Sequence, residues 1–361
     1  MQTRQLEVHL TQIANTRIAD VDLPPLKEGE ITVAIDRFAL TANNITYAVV
    51  GERIGYWNFF PVDDPEYGLV PVWGFANVIE SSHDDIAVGE RLYGYWPMGT
   101  HLRMQPGRVS AQRFFDTTSH RAELPPVYNA YARCSHEAHY DANLDDARML
   151  LFPLYATSFC LYDFLIANEF FGAEQIIIPS ASSKTSVGLA FGLAGDSGKR
   201  AVVGLTSPGN IQTVENMGFY NAVFSYDDLE SVDATVPTVI VDMSGNGEVL
   251  SKLHERLGDN MRYTSNVGLT HYQDNQMGEH FIRARSAMFF APGHMQQRNK
   301  EWGPGEFEKR SYQFWLDATT ATAAWLKYRH LSGSELMQAA YREVLSGEAK
   351  PDVGLIISPS E

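Results

Sequence analysis

Short apolar segments alternate with helix-like segments between residues 175 and 242, and this alternation constrains the fold more than any other feature. Buried strands that alternate with helices form βαβ units, in which helices cover both faces of a parallel sheet. A small-residue helix is predicted at 185–194. We therefore expect an α/β domain in the second half of the chain. The apolar segments are residues 175–178, 201–205, 222–224 and 238–241.

The first half of the chain has a different texture and is predicted to be rich in strands. Ile31, Val33 and Ile35 alternate with smaller or polar residues, which is the pattern of a half-buried strand. Near residue 145 this texture ends and a long apolar stretch with helical spacing follows. After residue 283 we expect a polar loop, two helices near 310–330 and 334–346, and a terminal strand.

The charge of the chain narrows its possible partners. With 28 basic and 44 acidic residues, the formal net charge is −16. This balance argues against nucleic acid and anionic membranes, since both favour clustered Lys and Arg. A phosphate-bearing small molecule remains open as a ligand, because backbone amides at a helix N-terminus bind it without net positive charge.

The cysteine content and the hydropathy of the chain indicate a reducing cellular compartment. The two cysteines, Cys134 and Cys160, cannot form a disulfide scaffold and fit a reducing environment. No apolar run approaches the roughly 18 residues of a membrane helix, and no secretory signal is visible at the start. At about 150 residues per domain, 361 residues allow two or three domains. These counts favour a cytoplasmic enzyme, and a binding protein remains open.

Several motifs, in the right order, resemble the medium-chain dehydrogenase/reductase superfamily. Residues 25–31 and 39–44 are similar to its opening, and residues 88–94 are similar to its "vGDrVyG" turn. Residues 217–223 stand where the superfamily has "lGadeVi", and residues 353–357 resemble its closing strand. The phrases "SASSKT", "VYNAY", "WGFA" and "FFAP" also resemble the DUF2855 family. The nearest branch is that of the zinc-free quinone oxidoreductases and enoyl reductases.

This resemblance implies an α/β fold with two domains. A GroES-like β-barrel that binds and converts the substrate is expected from residues 1–148 with 283–361. A Rossmann-type domain with a doubly wound parallel sheet is expected from residues 149–282, where it binds the nucleotide. Relatives commonly pair through the nucleotide domain, so the resemblance also implies a homodimer or homotetramer.

The residues that hold zinc in other branches are missing. Zinc-dependent relatives need a His-Glu pair after the glycine near residue 74, and a cluster of four cysteines. Here Phe75 and Ala76 follow Gly74, and the chain has two cysteines in all. Neither zinc site can be assembled in the family's way, so we expect no metal and no zinc-dependent alcohol chemistry.

The phosphate loop departs from the family's glycine-rich turn, in which backbone amides approach the pyrophosphate. Small and hydroxyl residues replace the glycines at 179–186, and Ile178 and Ser183 occupy the places of the two glycines that a P-loop requires. A solvated turn that caps a helix through Ser182 or Ser183 is the alternative reading. The resemblance places cofactor contacts at Ser180, Ser182, Ser183, Lys184, Thr185, Val187 and Gly188.

Three strand ends complete the expected cofactor site. NAD-preferring sites carry an acid after the second strand, whereas this chain has Thr206, Ser207 and Asn210 there. The resemblance therefore favours NADPH over NADH, with a plain polar turn as the alternative. Two later strand ends are expected to face the nicotinamide ribose at Asp242, Ser244, Val267 and Gly268.

The candidate catalytic residues are polar groups near the expected crevice. In zinc-free relatives Asn and Tyr residues after an early strand line the nicotinamide pocket, which corresponds here to Asn44, Tyr47 and Tyr56. His271 is a further candidate for general acid–base chemistry. The tyrosines, together with many other aromatic residues at 47–96, form either a site for a bulky flat substrate or a domain core.

The function that the resemblance implies is a zinc-independent, NADPH-linked reduction of a carbonyl, quinone or activated C=C bond in a small apolar or aromatic substrate. Tyr47 or Tyr56 would supply the proton. Two alternatives remain open because the loop is poor in glycine. One is a non-redox lyase or hydrolase in which Lys184, Ser180 or His271 acts, and the other is a small-molecule binder on the same fold.

Overall fold

The computed structural model describes residues 1–138, 140–196, 200–268 and 278–361, with Arg53 and Ile54 described by their backbone alone. The chain divides into two compact units, residues 1–150 with 327–361 and residues 151–326. This division differs from the expected one, because residues 283–326 lie in the second unit and not in the first.

Strands and helices are numbered in chain order. The strands are β1 (Gln2–His9), β2 (Thr16–Asp22), β3 (Ile31–Leu40), β4 (Tyr67–Gly68), β5 (Pro71–Ser81), β6 (Arg91–Pro97), β7 (His101–Met104), β8 (Pro106–Gly107), β9 (Arg113–Asp116), β10 (Ala130–Arg133), β11 (Gln175–Pro179), β12 (Ala201–Thr206), β13 (Ala222–Ser225), β14 (Thr238–Asp242), β15 (Met261–Asn266), β16 (Ser286–Met288), β17 (Lys327–Ser332) and β18 (Val353–Ser358). The α-helices are α1 (Ala42–Val49), α2 (Gly51–Ile54), α3 (Asp145–Ala167), α4 (Lys184–Ala194), α5 (Ile211–Asn216), α6 (Gly247–Leu257), α7 (Ala291–Trp302), α8 (Glu306–Thr322) and α9 (Ser334–Leu345).

The first unit consists mainly of β-sheet. A mixed sheet has the order β17-β18-β3-β5-β6-β10-β9-β8, with β7 also paired to β3, and a smaller sheet has the order β2-β1-β4. The last strand of the chain returns to this unit, since β18 pairs antiparallel to β3 with Leu355 opposite Leu40. Apolar side chains of β3 and β5 such as Val33, Phe38 and Phe75 are fully buried and form its core.

The second unit is a parallel sheet with the order β13-β12-β11-β14-β15-β16. Its central strands are continuous apolar runs, as expected for strands covered on both faces; Ile176, Ile177 and Ile178 are all fully buried. The strand order reverses between β11 and β14, and ligands of open α/β sheets bind beyond the carboxyl ends of the strands at such a reversal. The predicted fold class, a GroES-like β-domain with a Rossmann-type parallel sheet, is confirmed.

The second unit continues past the expected domain boundary at residue 283 and ends at Leu326. Strand β16 adds to the parallel sheet beside β15, with Ser265 opposite Ala287, so the chain stays in the second unit past residue 283. Helix α7 then stands where we expected a polar loop. The Asp163 carboxylate of α3 holds this helix through the His294 Nε2, at 2.6 Å, and the Arg298 Nε, at 2.5 Å. The helix predicted near residues 310–330 is α8, which ends at Thr322. Residues 327–330 of the predicted range belong to β17 instead.

Residues 142–167 form a helical segment that is apolar and long enough to cross a membrane by length and composition alone. Half of its most apolar window is buried within the protein. Pro153 lies inside α3, where its ring removes one backbone donor of the helix. The same features are common in the core helices of soluble proteins, so they do not indicate a membrane protein.

Helix α4 approaches α3 so closely that only a glycine fits at one point of contact. A Cβ atom on Gly188 would lie 2.6 Å from the Ser158 Oγ and 2.6 Å from the Tyr155 Cδ1. Both neighbours are engaged: Ser158 donates to the Thr185 carbonyl at 2.7 Å, and the Tyr155 hydroxyl bonds to the Thr322 hydroxyl at 2.8 Å. The absence of a side chain at 188 thus sets the position of α4.

We expect Gly188→Ala to destabilise the protein by about 1–3 kcal/mol, because overpacking outweighs the gain in helix propensity, which is about 1 kcal/mol. The measurement is thermal or urea-induced unfolding of the full chain. Gly209→Ala is the matched control, since a Cβ there meets no atom within 4 Å, and it should change stability by less than about 0.5 kcal/mol. Equal stability of the two variants would contradict the proposed close contact.

Candidate active site

The loop between β11 and α4 lies at the carboxyl edge of the parallel sheet. Ser180 adopts a left-handed conformation with φ of 61°, which turns the chain sharply after the strand. Ser183 is the N-cap of α4, and its hydroxyl accepts a hydrogen bond from the Ser186 amide at 3.2 Å. The capping role that the sequence allowed for Ser183 is therefore present.

Several amides of this loop are already paired. The Ser180 amide donates to the Tyr226 hydroxyl at 2.8 Å, the Ala181 amide to the Leu205 carbonyl at 2.9 Å, and the Ser183 amide to the Ser180 carbonyl at 2.9 Å. Over the ranges that the structure describes, the amides of Ser182 and Thr185 have no hydrogen-bond acceptor. These two donors at the start of α4 remain available for an anionic ligand.

Tyr220 and Tyr226 support the loop, and the sequence analysis missed both. The Tyr220 hydroxyl donates to the Ala181 carbonyl at 2.9 Å, and the buried Ala181 packs so close to β12 that a Cβ on Gly204 would lie 2.8 Å from its methyl group. Burial raises the pKa of Tyr226. The only signal in the sequence is a tyrosine on either side of the short apolar segment 222–224.

The end of β12 carries hydroxyl groups and no acid. Thr206 is buried, Ser207 is exposed, and the Asn210 amide donates to the Ser207 carbonyl at 2.9 Å. Val187 is fully buried, so the structure places it in the core of the second unit. Ser180, Ser182, Lys184 and Thr185 lie in the loop or in the first turn of α4, as expected from the sequence.

Asp242 ends β14 as a buried carboxylate at the strand reversal. It accepts hydrogen bonds from the Ser244 amide at 2.9 Å, the Ser244 hydroxyl at 2.6 Å and the Gly245 amide at 3.0 Å. Burial, the largest cause, raises its pKa to about 6, although these three donors favour the ionised form. Its backbone carbonyl accepts from the amides of Val267 and Gly268. The ends of β14 and β15 thus come together, as do the four residues expected there: Asp242, Ser244, Val267 and Gly268.

The next strand end holds two polar atoms without partners. In the described part of the chain, neither the Ser265 Oγ nor the Asn266 Oδ1 has a hydrogen-bond partner, and both side chains are 1% exposed. Asn266 lies opposite Asp242 in the sheet, beside the strand reversal. Unsatisfied buried polar groups are costly, so a polar ligand at this edge would relieve them. The residues present therefore fit a dinucleotide at this edge of the sheet.

Asn44 in the first unit does not have the role that we expected. Its Oδ1 accepts from the Thr41 amide at 2.8 Å, and its Nδ2 donates to the Pro71 carbonyl at 2.9 Å. Together with the Thr41 side chain, these contacts form a capping box at the start of α1. The buried amide is thus used to fix α1 against β5, which corrects the expectation that it positions a substrate carbonyl.

Tyr47 and Tyr56, the two alternative proton donors suggested by the resemblance, lie side by side. Their ring centroids are 4.3 Å apart, and both side chains are buried. The Tyr56 hydroxyl bonds to the Tyr128 hydroxyl at 2.9 Å, a contact that the sequence did not reveal. Burial raises the pKa of both Tyr47 and Tyr56 far above the usual value of a phenol. Both side chains therefore remain protonated donors at neutral pH.

The remaining sequence-based candidates are of two kinds. His271 lies outside the described residues, so its proposed acid–base role stays a prediction. Phe75 and Ala76 are buried in β5, at the positions where zinc-dependent relatives have a His-Glu pair. Among the described residues, no group of three or more His, Cys, Asp or Glu side chains could hold a metal ion.

Comparison with known proteins places this geometry in a class. CurA from Vibrio vulnificus, also solved in complex with NADPH, superimposes with TM-scores of 0.64 at 12% and 13% identity and covers 99% of both chains. The quinone oxidoreductase from Coxiella burnetii gives 0.56 at 11% identity, covering 99% of both chains. A mutant enoyl thioester reductase from Candida tropicalis gives 0.56 at 12% identity, covering 99% of this chain and 100% of that one. No curated protein matches the sequence.

The fold is that of the medium-chain dehydrogenase/reductases, with a GroES-like unit and a Rossmann-type unit. The chain belongs to the family described as "Protein of unknown function (DUF2855)", whose model matches residues 38–350. Both resemblances found in the sequence are confirmed. At identities of 11–13% the structural likeness establishes the fold, whereas the chemistry depends on this chain's own residues.

We expect Asp242→Asn to remove a pH dependence of stability. The carboxyl titrates near 3.8 when unfolded and near 6 when folded, so folding takes up a proton between these values. The wild type therefore gains stability as the pH falls through 6, and loses it as the pH rises. Relative to the variant, it should lose about 1.4 kcal/mol between pH 5 and pH 7.5.

Urea unfolding at the two pH values measures this difference. The control is Asp227→Asn, which changes an exposed carboxylate on the turn after β13 and should follow the wild-type profile. If Asp242→Asn also ran parallel to the wild type, the carboxylate would not be desolvated as the structure indicates.

Proposed function

We propose that this protein is a zinc-independent, NADPH-linked oxidoreductase that reduces a carbonyl, quinone or activated C=C bond of a small apolar or aromatic substrate. The observation that carries the proposal is the edge of the parallel sheet at the strand reversal. Buried polar atoms of Ser265 and Asn266 lie there without a partner among the described residues, beside the carboxylate of Asp242. The fold is shared with a protein crystallised with NADPH, which supports the choice of cofactor.

The residues of the loop suit the phosphates of a dinucleotide. The amides of Ser182 and Thr185, which have no acceptor in the described parts of the chain, lie at the positive end of the α4 dipole, where an anion is stabilised. Lys184 begins the same helix and adds a positive charge there. The absence of an acid at Ser207 leaves room for a 2′-phosphate, which favours NADPH over NADH. When bound, the cofactor supplies the hydride.

The protein's own contribution to the reduction is a proton and a dry environment. Tyr47 and Tyr56 stay protonated because burial raises the pKa of each phenol, so either serves as a donor to a developing oxyanion or enolate. Rings of Phe59 and Tyr95 pack against these phenols and exclude water. An apolar or aromatic substrate is the class that such a lining accepts.

The same proposal extends to the location, oligomeric state and partners of the protein. We place the protein in the cytoplasm, as a homodimer or homotetramer that acts on a small molecule. The net charge of −16 supports a function without nucleic acid or membrane partners.

A non-redox function remains the second candidate, and one observation favours it. The Ser180 amide, the first donor of the loop, is already bonded to the Tyr226 hydroxyl. If Tyr226 kept this position, the loop would offer fewer donors to a pyrophosphate than a glycine-rich turn does. A lyase, a hydrolase or a small-molecule binder would then use the same fold. Cofactor binding separates the two candidates.

The test is a thermal-shift and fluorescence titration of the full chain with NADPH and with NADH. We expect saturable NADPH binding, with stabilisation of about 2.7 kcal/mol at a ligand concentration 100-fold above Kd. Ser207→Asp should weaken NADPH binding at least tenfold and leave NADH binding equal or tighter, because a carboxylate repels the 2′-phosphate and accepts the 2′-hydroxyl.

Ser207→Asn is the matched control, since it has nearly the same shape and no charge. It should retain the wild-type preference for NADPH. Absence of binding by either cofactor at millimolar concentration would reject the redox function and leave the lyase, hydrolase or binder. Equal effects of the Asp and Asn variants would place the 2′-phosphate elsewhere.

A further inference from the structure

Five side chains of the first unit form a cluster that is rich in hydrogen-bond donors. We call it the tyrosine cluster, and it consists of Tyr47, Tyr56, Trp73, Tyr95 and Tyr128. The Tyr95 ring is the hub, with ring centroids 4.7 Å from Tyr128, 5.1 Å from Trp73 and 5.9 Å from Tyr47. Every member carries an N–H or O–H donor, and none carries a carbonyl or carboxylate.

Several of these donors are poorly satisfied. The Trp73 Nε1 and the Tyr95 hydroxyl are buried and, among the described residues, meet no partner in good hydrogen-bond geometry; both lie close to the Tyr47 hydroxyl, whose single oxygen is the only acceptor they share. Tyr56 and Tyr128 share one bond of 2.9 Å, so one hydrogen of this pair is left over. A core that served packing alone would satisfy such groups, since each costs about 1–3 kcal/mol when buried and unpaired.

Among the side chains that the structure describes, the cluster also has no available charge beside it. The guanidinium that faces its neighbours Phe59 and Phe60, that of Arg121, is fully engaged. It pairs with the Asp116 carboxylate at 2.9 Å and donates to the Asn129 side chain at 2.9 Å. An anionic ligand would therefore meet no free cation among the described side chains, whereas a neutral ligand would lose no solvation of charge.

The backbone of Tyr128 is held in place by a buried arginine. Arg121 donates to the Tyr128 carbonyl at 2.8 Å, and this buried guanidinium is 1% exposed. The segment that carries Tyr128 is a short turn after Pro125 and Pro126, which restricts the backbone further. The position of the Tyr128 hydroxyl beside Tyr56 is thus fixed by a buried ion pair and by proline geometry.

We propose that the tyrosine cluster binds the carbonyl oxygen of a neutral, flat, aromatic substrate, with Trp73 as a direct donor and Tyr128 as the residue that positions the Tyr56 hydroxyl. A carbonyl oxygen supplies two lone pairs, which is what the unpaired donors lack. This inference rests on the proposed function and narrows its substrate class to aromatic carbonyl compounds, such as aryl ketones, aryl enones and quinones.

In the proposed reduction, NADPH would supply a hydride to the carbonyl carbon and become NADP⁺, and the Tyr56–Tyr128 pair would donate one proton to the carbonyl oxygen. The pair regains this proton from water. Because burial disfavours a phenolate, the pair returns to its neutral form after each turnover.

Binding of two shape-matched probes to the full chain, without cofactor, tests the proposal. We expect 2-acetylnaphthalene, a neutral aryl ketone, to bind at least tenfold more tightly than 2-ethylnaphthalene, which lacks the carbonyl. Trp73→Phe and Tyr128→Phe should each weaken ketone binding about five- to tenfold and leave binding of the hydrocarbon unchanged. Titration calorimetry gives both dissociation constants.

Tyr67→Phe is the control, because it removes a phenol from β4, outside the cluster. It should bind both probes as the wild type does. Circular dichroism and the melting temperature of each variant show whether it folds, and Tyr56→Phe provides a second variant on the same hydrogen bond. In Tyr56→Phe/Tyr128→Phe, the loss of ketone affinity should not exceed that of the weaker-binding single variant, since both remove one shared contact.

Equal binding of ketone and hydrocarbon by the wild type would overturn the proposal, as would variants that weaken both probes alike; the cluster would then be a packed core. These outcomes are distinct from failure of the proposed function. A protein that discriminates between the probes but binds neither NADPH nor NADH has the carbonyl site without the redox activity. A protein that binds NADPH but not the ketone has the cofactor site without this substrate class.

Discussion

The order of strands in the parallel sheet is the constraint on which the proposed cofactor site depends. Because β11 lies between β12 and β14, the loops after β11 and β14 leave the sheet toward opposite sides and open a crevice at its edge. Helix α4 can start at this edge only because Gly188 lets it pack tightly onto α3. The amides at the start of α4 owe their position to this packing, whereas the carboxylate of Asp242 is positioned by the pairing of β14 with β11 and β15.

The two units manage buried polar groups in different ways. In the second unit, Asp242 is desolvated but receives three hydrogen bonds, which keeps a carboxyl group usable at the sheet edge. In the first unit, phenols and an indole are buried with few acceptors around them, so they stay neutral donors. One edge therefore suits a polar, phosphate-bearing ligand, and the tyrosine cluster suits a neutral one.

The likeness to reductases covers the fold, and the details depart from it. Serines replace the glycines of the phosphate loop, and Tyr226 occupies the first amide of that loop. Ser183 became a helix cap and Asn44 part of a capping box, which are structural uses of residues that the resemblance assigned to ligands. Each of these side chains can form only a few hydrogen bonds. It forms them with backbone amides close in sequence, and they are then not available to a ligand.

The sequence by itself determined the fold class, the alternation of strands and helices, and the residues at the strand ends, because apolar periodicity and turn residues act over a few positions. The resemblance to zinc-free reductases also picked out Tyr47 and Tyr56 as candidates, but not the contact between their rings. Only the tertiary structure decided that β16 extends the parallel sheet, and that Tyr128 meets Tyr56 across 72 residues. Such contacts depend on strand pairing and on buried networks like that of Arg121, which local sequence patterns do not encode.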